Sequence, residues 1–320
     1  MKKILIIALP LAFYLSCANN RIQKAIEDEK AAAVATASAI PQQSVTVQFA
    51  AKIGNQSFDC AAAVYTGIGL GSSNIYPQDF RFFVHDVRLV RSSGIEVPIT
   101  LTQDGSYQYQ NVALLDFENA APGSRCESND GDTSVNTAIR GTIPASESLT
   151  FTKIRFKVGM PENLNHLDGA GPPPLNVTKM FWAWATGYKH VLLEFYIPDF
   201  GSGNNGTFFT HLGDNGNCDG DPGNGIPYTC EHNNLPSIEL SFTYGQTVVA
   251  DAKKLYENTD FRIPNQGTQI GCHSGTTDED CGALFSNWGL PFYYAGSSSA
   301  RGLTPDTTYP AGTQKFFRVE

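Results

Sequence analysis

The chain has 320 residues, 41% hydrophobic and 17% charged, enough apolar material for one large all-β domain or two ordinary ones. With 30 Gly, 18 Pro and 11% aromatics, it favours short strands joined by many turns. A net charge of −9 without any basic run argues against nucleic acid or an anionic membrane surface as partner.

The start reads as an export signal. Lys2 and Lys3 supply the positive end, Ile4 to Leu15 the apolar segment, and Ser16-Cys17 a small-residue cleavage point. That apolar segment is too short to span a bilayer stably. Residues 1–16 are therefore expected to be a signal peptide, and Cys17 after a small residue resembles a bacterial lipoprotein box whose cysteine is acylated. Tyr14 stands where such boxes usually carry leucine, so ordinary cleavage nearby is the competing reading. Residues 17–43, polar and then Ala-rich, read as a tether or short helix outside the core. The implied address is the periplasm or cell surface, with membrane contact only through a lipid anchor.

Export places the other cysteines in an oxidising compartment. Cys60, Cys126, Cys218, Cys230, Cys272 and Cys281 read as disulfides, for which six cysteines allow 15 pairings. Proximity favours Cys272–Cys281 and Cys218–Cys230, which leaves Cys60–Cys126. No Cys-x-x-Cys spacing supports a thiolate metal site.

From Val45 the signals are those of strands. Ser44 to Ala50 alternates, and Pro77 to Val90 is the most strand-like run, with Phe83, His85, Val87 and Leu89 expected on one face. Asp104-Gly105 is a hairpin signal, and Asn111 to Glu118 and Leu149 to Val158 follow as strands. A long irregular segment from Gly159 to Leu175 contains His166, and a loop of that length in a compact domain usually has work to do. The stretch Met180-Phe181-Trp182-Ala183-Trp184 then runs on through Gly187-Tyr188-Lys189-His190 into Val191 to Tyr196, read as extended. In that conformation Trp182 and Trp184 share a face, either as core or as an aromatic platform. Thr207 to Gly213 and Leu235 to Tyr244 are further strands, while Val248 to Tyr256 and Cys281 to Phe285 are the plausible short helices. Residues 44–320 thus read as a single all-β domain, a sandwich or distorted barrel with long loops stapled by disulfides.

Six histidines are spread over separate elements, and imidazoles from distant segments can converge on a soft or borderline metal in exported proteins. No dense His pair exists; His85, His166 and His211 lie in informative segments, whereas His190, His232 and His273 read as peripheral. Asp116 and Glu118 invite a glycosidase reading, but neighbours on one strand face do not straddle a substrate. Asp214 to Asp221 has the composition of a calcium loop without the glutamate that closes an EF-hand loop. No Gly-x-Ser-x-Gly elbow, phosphate loop or His-Glu-x-x-His is present.

Taken in order, Asp79-Phe80-Arg81-Phe82-Phe83-Val84-His85-Asp86-Val87-Arg88-Leu89, Leu114-Leu115-Asp116-Phe117-Glu118, Leu164-Asn165-His166, Met180-Phe181-Trp182-Ala183-Trp184 with Gly187-Tyr188-Lys189, His211-Leu212-Gly213 and Gly271-Cys272 to Cys281 resemble the MbnP family. These are also called metallo-mystery-pair four-Cys proteins and occur beside methanobactin operons. The resemblance covers residues 45–290 and preserves motif order. It implies an exported, non-enzymatic protein that binds one copper ion as Cu(I) and acts in copper homeostasis. It further implies that a MauG-like di-haem peroxidase (MbnH) oxidises the first Trp of the Trp-x-Trp motif to kynurenine, here Trp182, with Trp184 as the supporting aromatic. Ring opening would create N and O donors where the indole had only an N–H. The ligands expected from family-like motifs are His166 and His85, then His211, with the modified Trp182. His190 stands where an aromatic is expected after Gly-Tyr-Lys and is left out. The alternative is an exported carbohydrate-binding or adhesive β-sandwich that uses Trp182 and Trp184 as a stacking platform.

Overall fold

A computed structural model describes residues 40–120, 123–126, 134–183, 185–200, 205–215, 218–221, 226–263, 268–293 and 311–320. The expected signal peptide, the acylation at Cys17, the tether up to residue 39 and Trp184 lie outside the described residues. Residues Ser44–Ile143 and Leu149–Glu320 form one compact unit. Residues 40–43 and Pro144–Ser148 fall in another, in which the Gln43 side-chain amide donates to the carbonyls of Pro144 and Glu147.

The strand Gln42–Ile53 shows how the sequence makes its core. Val45, Val47, Phe49, Ala51 and Ile53 are buried and the residues between them reach outward, the period of two that a one-sided strand needs. It lies beside Thr247–Asp251 and Ala138–Pro144 in a six-stranded sheet completed by Phe317–Val319, Thr100–Leu101 and Gln56–Ser57. The second sheet has ten strands. Its main path runs Ser237–Ser241, Lys153–Val158, Ser73–Val90, Val191–Ile197, Gly206–Leu212, Gly271–Cys272. The two inner faces meet through edge-on aromatic pairs: Phe49 lies 6.4 Å from Phe82 and 5.7 Å from Phe156, and Phe156 lies 5.2 Å from Phe317. Each fully buried phenylalanine contributes roughly 2–3 kcal/mol by area alone. The fold is an open β-sandwich, not a closed barrel.

Three expectations change. The long strand does not keep Phe83, His85, Val87 and Leu89 on one face. Val87 and Leu89 join the main core, whereas Phe83 belongs to a second apolar cluster with Val112, Leu114, Met160, Leu164, Leu175, Met180, Tyr188 and Leu192. The cause is a bulge: Asp86 has φ +51°, and the register against Lys153–Val158 slips so that Arg88 faces Arg155 but His85 faces Lys157. One extra residue reverses the alternation. Second, the Val248–Tyr256 helix is largely strand. Thr247–Asp251 is held between Gln42–Ile53 and Phe317–Val319, and only Ala252–Leu255 is helical, with Asp251 accepting from the Lys253 N–H. Third, the Trp run is not one extended strand. Phe181–Ala183 turns back on Gly187–Tyr188 as a small hairpin before Val191–Ile197 begins.

That hairpin and the segment before it cover the outer face of the large sheet over the second cluster. The three expected disulfides are formed: Cys60–Cys126, Cys218–Cys230 and Cys272–Cys281.

Candidate metal centre

A parallel ladder sets the centre. Gly206–Leu212 pairs with Gly271–Cys272 so that Phe209 faces Gly271 and Thr210 faces Cys272. The next step along both chains brings His211 beside His273, with ring centroids 4.9 Å apart and planes at 80°, a separation close to the spacing between neighbouring strands. Gly271 makes this approach possible. Its φ is +92°, and a Cβ there would lie 2.1 Å from the Phe209 carbonyl oxygen. His273 is fixed from several sides: Cys272 is bridged to Cys281, and Asp278 Oδ2 accepts the His273 N–H at 2.9 Å. The Ser274 hydroxyl donates to the His211 carbonyl at 2.9 Å and accepts the Gly213 N–H at 3.0 Å.

The ring nitrogens then follow from hydrogen-bond chemistry. His211 Nε2 lies 2.9 Å from Glu194 Oε1. A carboxylate only accepts, so Nε2 carries the proton and the neutral ring keeps its lone pair on Nδ1. His211 Nδ1 and His273 Nδ1 are both buried, and neither meets a hydrogen-bond partner among the described residues. Burial pushes the His211 imidazole well below its ordinary range, with Lys189 and His273 adding to the effect. Burial also lowers His273, opposed by a hydrogen bond to the Gly271 backbone. Leaving a buried polar atom unpaired costs roughly 1–3 kcal/mol. A neutral His211 with its Nδ1 lone pair unused, beside a second imidazole whose pKa burial also lowers, fits a soft or borderline metal ion.

Trp182 completes the wall. It is half-buried, and its six-membered ring rests on Gly213, where a Cβ would lie 2.4 Å from Cζ3. Its ring centre is 6.1 Å from that of His211, in an edge-on arrangement. The hairpin that presents it turns at Gly187, φ +72°, against which Asn165 packs so closely that a Cβ would lie 2.5 Å from Oδ1. Asn165 Oδ1 accepts the Tyr188 N–H at 2.8 Å, and its Nδ2 donates to Asp214 Oδ2 at 2.7 Å. The expected same-face partner Trp184 lies outside the described residues.

Of the other expected ligands, His166 follows the short helix Glu162–Asn165 and forms a neighbouring group with Asp214 and Cys230, one ligand atom from each within 4.8 Å of the others. His166 Nε2 is 3.8 Å from Asp214 Oδ2. Cys230 is bridged to Cys218 and offers no thiolate. His85 sits beside the bulge with Nδ1 2.8 Å from the Gly159 carbonyl, and burial lowers its pKa to about 4. The structure therefore brings Trp182 and His211 together, seats His166 in the adjoining group and commits one nitrogen of His85 to the backbone.

Two readings of the histidines are corrected. His190 is fully buried, not peripheral, and both its nitrogens are occupied. Nε2 lies 2.8 Å from Asp214 Oδ1 and 3.0 Å from the Asn233 carbonyl, and Nδ1 accepts the Met160 N–H at 3.1 Å. His273 belongs to the centre. Its signal in the sequence was its place directly after a bridged cysteine in Gly271-Cys272-His273. Glu194 was also missed, although it is the single acid in the apolar run Val191–Ile197.

The carboxylates considered for other chemistry have structural partners. Asp116 Oδ1 accepts the Glu118 N–H at 2.9 Å, and burial pushes the Asp116 carboxyl up to about 7. Arg81, almost wholly buried, binds Asp79 and reaches Glu118 Oε2 at 3.1 Å. Asp214, first residue of the calcium-like run, uses its two oxygens on His190 and Asn165.

Comparison with known proteins agrees with this architecture. The MbnP family model matches residues 42–274. Among solved structures, the chain is similar to MbnP from Methylosinus trichosporium, with 28% identity and a TM-score of 0.69, over 88% of this chain and 99% of that one. No curated protein matches.

Proposed function

This chain belongs to the MbnP family, and from that premise we propose that it is an exported, lipid-anchored, non-enzymatic copper-binding protein acting in copper homeostasis. The ion is one Cu(I), held by His211 and His273, with Trp182 contributing after oxidation to kynurenine by a MauG-like di-haem partner. The observation that carries the reading is the pair of buried, unbonded Nδ1 atoms on adjacent rings against Trp182. Copper(I) accepts few, soft or borderline donors, which suits two imidazoles whose Nδ1 atoms are shielded from water. Trp182 is half-buried, so an edge stays accessible to an oxidising partner while Gly213 anchors the rest of the ring.

The decisive experiment is intact-protein mass and metal analysis after expression with and without the di-haem partner. The expected result is a mass change confined to the Trp182 peptide, a new near-UV absorption and one copper per chain, all lost in Trp182→Phe. An unmodified Trp182 in protein that still holds stoichiometric copper would refute the maturation step.

A second arrangement has its own supporting observation, the convergence of His166, Asp214 and Cys230. There the ion would sit on His166 and Asp214. Copper lost in His166→Ala but retained in His273→Ala would select it.

A further inference from the structure

We infer that Glu194 is a positioning residue of this centre: its carboxylate holds the His211 ring with Nε2–H toward itself and the Nδ1 lone pair toward the ion. The inference rests on the reading of His211 as a ligand.

Glu194 occupies a costly place for an acid. It interrupts an otherwise apolar strand, and its side chain is only 17% exposed. Across the ladder it faces Asp79 on the long strand. Like charges directly opposite one another destabilise a sheet. Asp79 is compensated separately, by Arg81, whose guanidinium donates to it twice at 2.9 and 2.5 Å, and by Lys179 at 3.5 Å. Glu194 has the neutral His211 ring as its hydrogen-bond partner, with the Lys189 charge near enough to act on it. An apolar residue would pack there without facing a like charge, so packing alone does not account for a carboxylate.

The pairing does what a neutral imidazole needs in order to be a defined ligand. A free ring exchanges its proton between Nδ1 and Nε2, and only one tautomer presents a lone pair at Nδ1. An acceptor fixed 2.9 Å from Nε2 selects that tautomer and fixes the ring's rotation. A carboxylate acceptor also raises the basicity of the opposite nitrogen, and removing such partners typically weakens metal affinity about 10- to 100-fold. The strands enforce the geometry: His211 lies opposite Leu192, two residues before Glu194, so the acid reaches the ring diagonally from the neighbouring strand.

The test uses the full chain and three variants. In metal-free wild-type protein with 15N-labelled histidine, NMR should show His211 as the Nε2–H tautomer. Glu194→Ala should lose that preference and weaken Cu(I) binding, in protein matured beside the di-haem partner, by about 10- to 100-fold. Glu194→Gln keeps an acceptor oxygen, so it should retain the tautomer and lose only a few-fold in affinity, rescuing most of the Ala defect. It also supplies the answer if the Ala variant does not fold. An unchanged tautomer or unchanged copper affinity in Glu194→Ala would overturn the inference, as would a Gln variant no better than Ala. Copper retained in His211→Ala would instead overturn the ligand reading, whereas the metal-free tautomer measurement judges the Glu194–His211 bond in either case.

Discussion

Two groups of metal-competent side chains flank Gly213, and they are built differently. His211 and His273 stand on paired strands, one residue beyond the last ladder pair, and the surrounding hydrogen bonds leave both Nδ1 atoms unused. His166, Asp214 and Cys230 come from irregular segments; the Asp214 oxygens hold His190 and Asn165, and the cysteine is in a disulfide. Closeness of donor atoms is common to both. What separates them is that Asp214 and Cys230, two of the three donors of the second group, are already committed, and that is the property to test.

The largest effect should come from the rings themselves. His211→Ala and His273→Ala should each reduce Cu(I) affinity by more than about 100-fold in chelator competition, since a coordinating bond in a shielded site is worth several kcal/mol. His166→Ala should leave a stoichiometric site, and the opposite ranking would reverse the comparison. Next comes the ladder. Gly271→Ala puts a methyl into the Phe209 carbonyl at a left-handed backbone position, and should destabilise the protein by about 3 kcal/mol or more. Denaturant midpoints would show it, together with loss of copper through displacement of His273. The disulfides give a third contrast. Replacing both Cys272 and Cys281 by serine should cost about 2–3 kcal/mol and weaken copper binding, because the bridge adjoins His273. Replacing Cys218 and Cys230 should cost similar stability and leave copper affinity within about threefold. Equal copper losses from both pairs would mean that the two groups act as one site.

The smallest effect concerns His85, the expected ligand placed at the bulge. Burial holds its imidazole at about 4, below the ordinary value, so the unfolded chain binds the proton more readily than the fold does. The stability tied to the neutral ring is complete above about pH 6.5 and is lost as pH falls toward 4, by about 1.4 kcal/mol per pH unit within that window. Urea midpoints measured from pH 7 to 4.5 should fall less steeply in His85→Gln than in the wild type. Parallel curves would mean that His85 contributes no such titration.

Much of the fold was legible because it rests on period-two burial. Val45 to Ile53 announces its inward face, and the disulfide spacings pointed to the right partners. The departures have local causes of a kind that pattern reading does not see. The bulge at Asp86 needs a backbone angle, not a residue type, to reverse the faces of His85 and Val87. The Trp run looked continuous because its turn uses ordinary residues at 185–186 and is fixed by the remote Asn165 side chain. His211 and Trp182 were visible as members of motifs. Their neighbour His273 was not, since only the parallel register of Gly271–Cys272 on Phe209–Thr210 sets it beside His211.

The bond between Ser274 and His211 closes a circuit of 63 residues. Loop closure of that kind is among the slower, entropically costly steps of assembly, completed only when the distant strands have met. The two rings come side by side only once those strands have met, so an ion that needs both of them is bound after folding.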